Sequence, residues 1–393
     1  MSTTLDPKTT NGQPSLSGRP EQMATRLVFF ITGITISAWA PLIPFAKTRL
    51  GINDASLGAL LLTLGIGSLL AMLLAGFLTS RFSCRRVILI ATICTCLILP
   101  ALTQADTILE MAVVLFLFGF ALGLIDVSIN IQAVVVEQVS GHAMMSGFHG
   151  FYSVGGIAGA GGLSACLWLG LSPFFATLVV VTLTLLLLLG SQRHLLRSRS
   201  TQNKGPLLVR PRGRVLVIGI LCFIMFLTEG AILDWGALYL TTARGFDNSW
   251  AGIGYVAFSI TMTVGRLNGD RIVNALGRYA VVAGGSLCAA LGLLLSISIN
   301  HPATTIVGFM MVGIGASNVV PILFTAAGNQ KTMSTNMAIA SISILGYIGI
   351  LAGPTLLGFI SQWSNLSLAL GVVVLLLLIV SASARTVTRP SGV

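Results

Sequence analysis

Twelve apolar stretches follow one another along this 393-residue chain, with only short polar connectors between most of them. They run near 27–46, 55–78, 87–105, 108–137, 142–168, 173–190, 215–241, 250–270, 280–299, 303–328, 333–360 and 366–384. A helix needs about 20 apolar residues to cross the hydrocarbon core of a bilayer, and the stretches are of that order. None alternates polar with apolar residues as a membrane barrel strand must. Backbone groups in lipid have to satisfy one another within the segment, so these stretches are predicted to be helices. Charged residues make up 8% of the chain, against roughly 25% in a domain whose surface faces water. The predicted class is an all-α membrane protein.

A net charge of +11 raises the question of nucleic acid, but the distribution of charge answers it. With the N-terminus inside, nineteen Lys and Arg fall on the inner side and only Lys47, Arg49 and Arg244 fall outside. That is the bias of cytoplasmic connectors. The expectation is a multi-pass protein of a bacterial inner membrane, both termini cytoplasmic, with the lipid bilayer and not nucleic acid as its partner. Residues 1–22, rich in Ser, Thr, Pro and Gly, read as a disordered cytoplasmic tail and not as a cleaved signal. A basic linker at 191–214, with seven Lys or Arg and no acid, separates six-helix bundles at 23–190 and 215–384. Residues 385–393 form a second tail.

The halves repeat each other. Ala38-Trp39-Ala40 matches Asp234-Trp235-Gly236 at an offset of 196, which also brings Asn53 onto Ser249 and Gly58 onto Gly254. Tyr152 matches Tyr347 at an offset of 195. Between spans two and three stands Gly76-Phe-Leu-Thr-Ser80-Arg81-Phe-Ser-Cys-Arg85-Arg86, with a counterpart at Gly265-Arg266-Leu-Asn-Gly-Asp270-Arg271-Ile-Val-Asn274-Ala-Leu-Gly277-Arg278. The glycines permit close helix contact, and the basic groups can pair with acids or helix C-termini. Both segments resemble the signature of the major facilitator superfamily, a Gly, an Asp and a basic cluster, with Ser80 in place of the Asp in the first half. The resemblance implies two pseudo-symmetric six-helix bundles holding a small-molecule substrate between them near the midplane. Glu137, Arg266 and Asp270 sit near cytoplasmic ends in this reading and, with Arg81 and Arg85, are the expected gate residues.

A narrower resemblance lies in spans four and five. Gly123-Leu-Ile-Asp126-Val-Ser-Ile-Asn130, followed by Phe148-His149-Gly-Phe-Tyr152-Ser153-Val-Gly155, is similar to the fucose:proton symporter group. It implies that Asp126 is the protonatable acid, and that Asn130, His149 and Tyr152 face a sugar. The group's second acid, on span one, is missing here, where Trp39-Ala40-Pro41 stands instead.

Helix geometry reads the same residues independently. At 3.6 residues per turn, Gly119, Gly123, Asp126, Asn130 and Glu137 fall along one stripe. Such a stripe is costly against lipid and should face the interior. Asp126 beside His149 would make a proton relay; the alternative is that these groups simply hydrogen-bond neighbouring helices. In span seven Glu229 lies about 21 Å from the helix start and reads as a second proton or substrate carboxylate. Asp234, about 7 Å further on, reads as an outer-gate or capping partner. Trp39 and Trp235 are candidates to stack on substrate or to anchor the interface. Asn318 and Tyr347 are candidates for the second wall of the cavity.

No Walker A run is present, so ATP drive from this chain is not expected. The six cysteines show no metal-ligand spacing and read as packing residues. No cofactor, no metal and no enzymatic activity are expected, and the chain is expected to be monomeric. The leading reading is a proton-coupled secondary transporter of a small polar solute, for instance a sugar or sugar derivative. A proton-antiporting exporter of drugs or metabolites, and a transport-dead receptor-like protein, are the alternatives.

Overall fold

The computed structural model describes residues 18–52, 54–197, 210–246 and 253–388. Thirteen α-helices account for most of them: α1 (Arg19–Ser37), α2 (Ile43–Leu50), α3 (Asp54–Phe82), α4 (Cys84–Ala101), α5 (Ile108–Ser140), α6 (Met145–Trp168), α7 (Pro173–Ser191), α8 (Gly213–Arg244), α9 (Ile253–Ser298), α10 (Pro302–Ala316), α11 (Val319–Asn329), α12 (Thr335–Trp363) and α13 (Leu366–Thr388). No strand occurs among the described residues.

Helices and crossings do not correspond one to one. Among the described residues, eleven segments are long and apolar enough to span a membrane. The longest, α9, holds 46 residues and turns at Gly277, whose φ of 81° ends one helix and starts the next. It therefore supplies two of the twelve expected spans. Breaks inside single spans have local causes. Between α1 and α2 a 3-10 turn at Ala40–Leu42 carries Pro41, which has no N–H to donate to the helix ladder. The span of α10 and α11 is interrupted at Ser317 and Asn318. Helix α1 begins at Arg19, inside the stretch expected to be tail, and Pro20 suits a helix's first turn. The remainder of that tail, the linker core at 198–209, Asn53, Ser249 and residues 389–393 lie outside the described residues.

Contacts gather the start of α1, the end of α13 and the described flanks of the linker on one side of the bundle, here called the linker end. Glu21 lies 4.0 Å from His194, the Arg85 amide donates to the Leu196 carbonyl at 3.2 Å, and Arg214 donates to the Val387 carbonyl at 2.7 Å. At the opposite end stand two of the three arginines and lysines that break the charge bias. Arg49 donates to the carbonyls of Leu102, Thr103 and Ala105, just past the end of α4. Arg244 donates to the carbonyls of Ser296 and Ile297 at the end of α9 and stacks on Tyr239. Each arginine thus satisfies orphan carbonyls at a helix C-terminus, where the helix dipole favours a cation. The two play matching roles in the two halves. Arg49→Ala or Arg244→Ala is expected to lower stability by about 1–3 kcal/mol, read as a fall in melting temperature in detergent.

Small residues bring the helices close enough to form the site. A Cβ at Gly119 of α5 would sit 2.0 Å from the Leu64 carbonyl of α3, and one at Gly155 of α6 would sit 2.2 Å from the Phe30 carbonyl of α1. Neither position has room for a methyl group. Gly155→Ala should separate α1 from α6 and destabilise the fold by about 1–3 kcal/mol through overpacking, again checked by thermal unfolding.

Candidate functional site

Between the halves lies a cavity of about 200 Å³. The first half supplies its polar wall: Thr32 of α1, Ser68 of α3, Asp126 and Asn130 of α5, and His149 and Tyr152 of α6. The second half supplies Phe226 of α8, Phe324 of α11, and Ser343, Tyr347 and Ile350 of α12. Five sequence candidates, Asp126, Asn130, His149, Tyr152 and Tyr347, are thereby brought together. Thr32, Ser68 and Ser343 join them without having been singled out. Ser343 sits one helical turn from Tyr347, so the spacing of four held a usable signal.

The polar groups of this wall are under-satisfied by the protein. Among the described residues no donor or cation contacts the Asp126 carboxylate; Asn130 Nδ2 donates at 2.9 Å to the Asp126 backbone carbonyl. Asn130 Oδ1, His149 Nε2 and Ser343 Oγ are buried with no partner. Native interiors leave few such atoms unpaired, so a cluster of them around a cavity marks a place built for a ligand. The expected Asp126–His149 pair is not made as a hydrogen bond. The His149 ring is held between Phe29 and Phe324, at centroid distances of 5.3 and 5.8 Å, and meets Asp126 only across the cavity.

Glu229 does not line the cavity wall. It forms an ion pair at 3.0 Å with Arg266, whose guanidinium also donates to Ser153 Oγ at 3.2 Å and to the Ser317 carbonyl at 3.4 Å. This corrects the expectation that Arg266 belongs to a gate near the helix end. Arg266 lies thirteen residues into α9, about 20 Å along the helix at 1.5 Å per residue. At that depth a charge needs a partner, and Glu229 provides it. Ser153 belongs to the other half, so the pair also ties the two bundles together next to Tyr152.

Three further candidates lie elsewhere. Trp39 is buried in the core of the first half with Leu42, Leu99 and Phe118, outside the cavity lining. Trp235 packs its ring against Gly358, and Asn318 donates to the Gly265 carbonyl at 3.1 Å, bracing the break between α10 and α11. None of the three lines the cavity. Asp234 is exposed and has no capping or gate partner among the described residues.

At the linker end the halves are bonded to each other. Glu137 of α5 accepts from the Met144 and Met145 amides at 2.8 Å, and it meets Thr325 and Arg278 of the second half, Arg278 at 3.6 Å. Asp270 accepts from the Gly147 amide at 3.0 Å. Two carboxylates, one from each half, thus hold the first turn of α6, where backbone N–H groups and the helix dipole favour negative charge. Gln138 and Asn274 add bonds across the same boundary. In the first half Ser80 bonds back to its own helix at Phe77, and the crossing contact is Asn336 Nδ2 donating to Thr79 at 3.2 Å. Arg81 and Arg85, expected at this gate, form no ion pair among the described residues; Arg81 instead stacks on Phe82 at 5.7 Å.

Two six-helix halves, bonded at one end and enclosing a half-polar cavity at mid-depth, define the architecture of a membrane solute carrier. The sequence profile of the Major Facilitator Superfamily matches residues 27–332. An uncharacterized MFS-type transporter of Yersinia pestis is 60% identical over 377 residues, covering 96% of this chain and 97% of that protein. Membrane protein MosC of Rhizobium meliloti is 32% identical over 349 residues, covering 88% and 85%. Among solved structures, the E. coli fucose:proton symporter FucP superposes with a TM-score of 0.78 at 17% identity, over 94% of this chain and 98% of that one. FucP in the outward conformation gives 0.77 at 16%, over 94% and 100%. The chain belongs to the Major Facilitator Superfamily and is a multi-pass integral membrane transporter of small molecules.

Proposed function

We propose that this transporter is proton-coupled and moves a small polar solute of the sugar or sugar-derivative class, with Asp126 as the coupling acid. The observation that carries the reading is the convergence of an uncompensated carboxylate and three unpaired polar atoms on one cavity between the halves. A carboxylate closed off from water without a partner is expensive. A proton removes its charge, and solute hydroxyls satisfy Asn130, His149 and Ser343. With solute in place, closing the cavity then becomes favourable only once the acid is protonated, which is how a proton gradient biases alternating access. The inter-half bonds of Glu137, Asp270 and Gln138 support a resting state closed at the linker end, the side we assign to the cytoplasm of an inner-membrane protein with both termini inside. FucP and XylE, both named as proton symporters, share the fold and accord with this reading.

A proton-antiporting exporter is favoured by one feature, the apolar second-half wall of Phe226, Phe324 and Ile350. The volume of 200 Å³ weighs against it, since drug-sized ligands occupy clefts of about 300–1,000 Å³. A thermal-shift panel on the purified protein separates the two. Stabilisation by monosaccharides or their derivatives supports the symporter. Stabilisation by lipophilic cations alone hands the case to the exporter.

A further inference from the structure

Between the α3–α4 turn and the start of the linker lies a second cavity of about 440 Å³, lined by Phe82, Ser83, Arg85, Arg86, Leu89 and Arg197. Three of the six are arginines, and among the described residues none of their guanidinium groups has an acid or an acceptor. Arg85 Nε is buried with no partner at all. The acids described at this end are engaged elsewhere, Glu21 beside His194, Glu137 with Arg278 and Asp270 on Gly147.

The arrangement is built and not accidental. Ser83 has a φ of 82°, the one non-glycine residue in the left-handed region among those described, and it lets a single residue join α3 to α4. Strain of this kind persists only where the surroundings enforce it. Across from the turn, Leu195 and Leu196 are buried at 2% and 4% exposure. The Leu196 amide donates to Gln132 Oε1, and its carbonyl accepts from the Arg85 amide. The first residues of the linker are therefore fixed on the first half, and Arg197 is carried to the cavity facing Arg85 and Arg86. Like charges held together out of full solvent repel, and an anion between them relieves the repulsion.

The remaining walls say which anion. Phe82 and Leu89 are apolar, and from Leu89 the helix α4 presents Ile90, Ile93 and Leu97 outward, at 63%, 46% and 72% exposure. These residues follow helical spacing and form a lipid-facing strip that begins at the cavity. We propose that the cavity is a site for an anionic phospholipid of the leaflet at the linker end, its phosphate held by Arg85, Arg86 and Arg197 and an acyl chain laid along Ile90, Ile93 and Leu97. Arginine suits a phosphate because its planar fork makes paired hydrogen bonds. A soluble phosphate would use the charges but leave the apolar strip without purpose.

The test uses the full chain in detergent, with bound lipid counted by native mass spectrometry and melting temperature measured in parallel. The probes are dioleoylphosphatidylglycerol, dioleoylphosphatidylcholine and inorganic phosphate. The anionic lipid is expected to bind at least roughly tenfold more tightly than the zwitterionic one, and Arg85→Ala/Arg86→Ala/Arg197→Ala to abolish that preference. Arg271→Ala, which removes an exposed charge from the other half, should leave it intact. If the triple variant does not fold, Arg197→Glu alone, at an exposed position, must still reduce retention several-fold. Equal retention of the two lipids by the wild type overturns the proposal. So does a preference that survives the triple variant or Arg197→Glu, or one lost equally in Arg271→Ala. Displacement of the lipid by phosphate at matching concentration, with the same stabilisation, would reassign the site to a soluble anion.

Discussion

Asp126→Asn is expected to abolish proton-driven accumulation in proteoliposomes while leaving the protein folded and able to exchange solute. The amide has nearly the shape of the protonated acid, so it mimics the neutral state permanently. A carrier locked in that state can close and reopen around its solute but cannot release a proton to drive net movement. Uptake against a gradient should fall by at least about 100-fold, equal to about 2.7 kcal/mol of lost driving discrimination. Counterflow at equal pH should persist, and the pH dependence of exchange should flatten. Asn130 donates to the Asp126 backbone and not to its carboxylate, so no bond in the described structure is lost. Accumulation unchanged by this substitution would remove the coupling role from Asp126 and with it the central step of the proposed function.

Breaking the Glu229–Arg266 pair from one side is expected to have the largest effect on stability. Arg266 is 9% exposed and makes three bonds, to Glu229, Ser153 and Ser317. Arg266→Met leaves Glu229 at mid-depth without its cation, a change that typically costs about 3–5 kcal/mol when a buried pair loses one member. Glu229→Gln strands the guanidinium in the same way. The double variant Glu229→Gln/Arg266→Met removes both charges and should recover most of the loss, because a buried ion pair is worth little net of its desolvation. Thermal unfolding of the two single variants and the double variant forms the cycle. A double variant no more stable than the worse single would mean that the two charges act independently. Transport adds a second readout: if the pair serves only to join the halves, the stable double variant keeps proton-driven uptake.

The depth of each charge explains which site residues were legible. Asp126, Asn130, Tyr152 and Tyr347 lie in the middle of long apolar runs, where a polar group must have a reason, and all four line the cavity. Arg266 reads in sequence as a gate residue because it belongs to a motif that ends at the turn, Gly265 through Arg278. Its depth depends on α9 starting at Ile253 and turning at Gly277, and no periodicity in the run marks either point. Trp39 and Trp235 match across the repeat, and each reads in sequence as a substrate-stacking or an interface-anchoring residue. Equivalent positions in a repeat share a fold environment, however, and both indoles went into packing. Phe226 and Phe324 carry no signal that separates a cavity wall from any other buried face.

Lipid makes simple demands of a chain, and they can be read from sequence alone. Runs long enough to cross, charges gathered at one end and a repeat of six segments follow from the cost of exposing a peptide group or a cation to hydrocarbon. These established the two bundles and most of the polar groups that face inward. Which of those groups meet was decided only when the helices packed. Glycines at positions such as Gly119 and Gly155 brought α3, α5, α1 and α6 into backbone contact. That packing turned Asp126 toward an open cavity, put Glu229 against Arg266, and folded the start of the linker over Arg85. Contacts between residues tens or hundreds of positions apart depend on how helices cross, and no single segment carries that information.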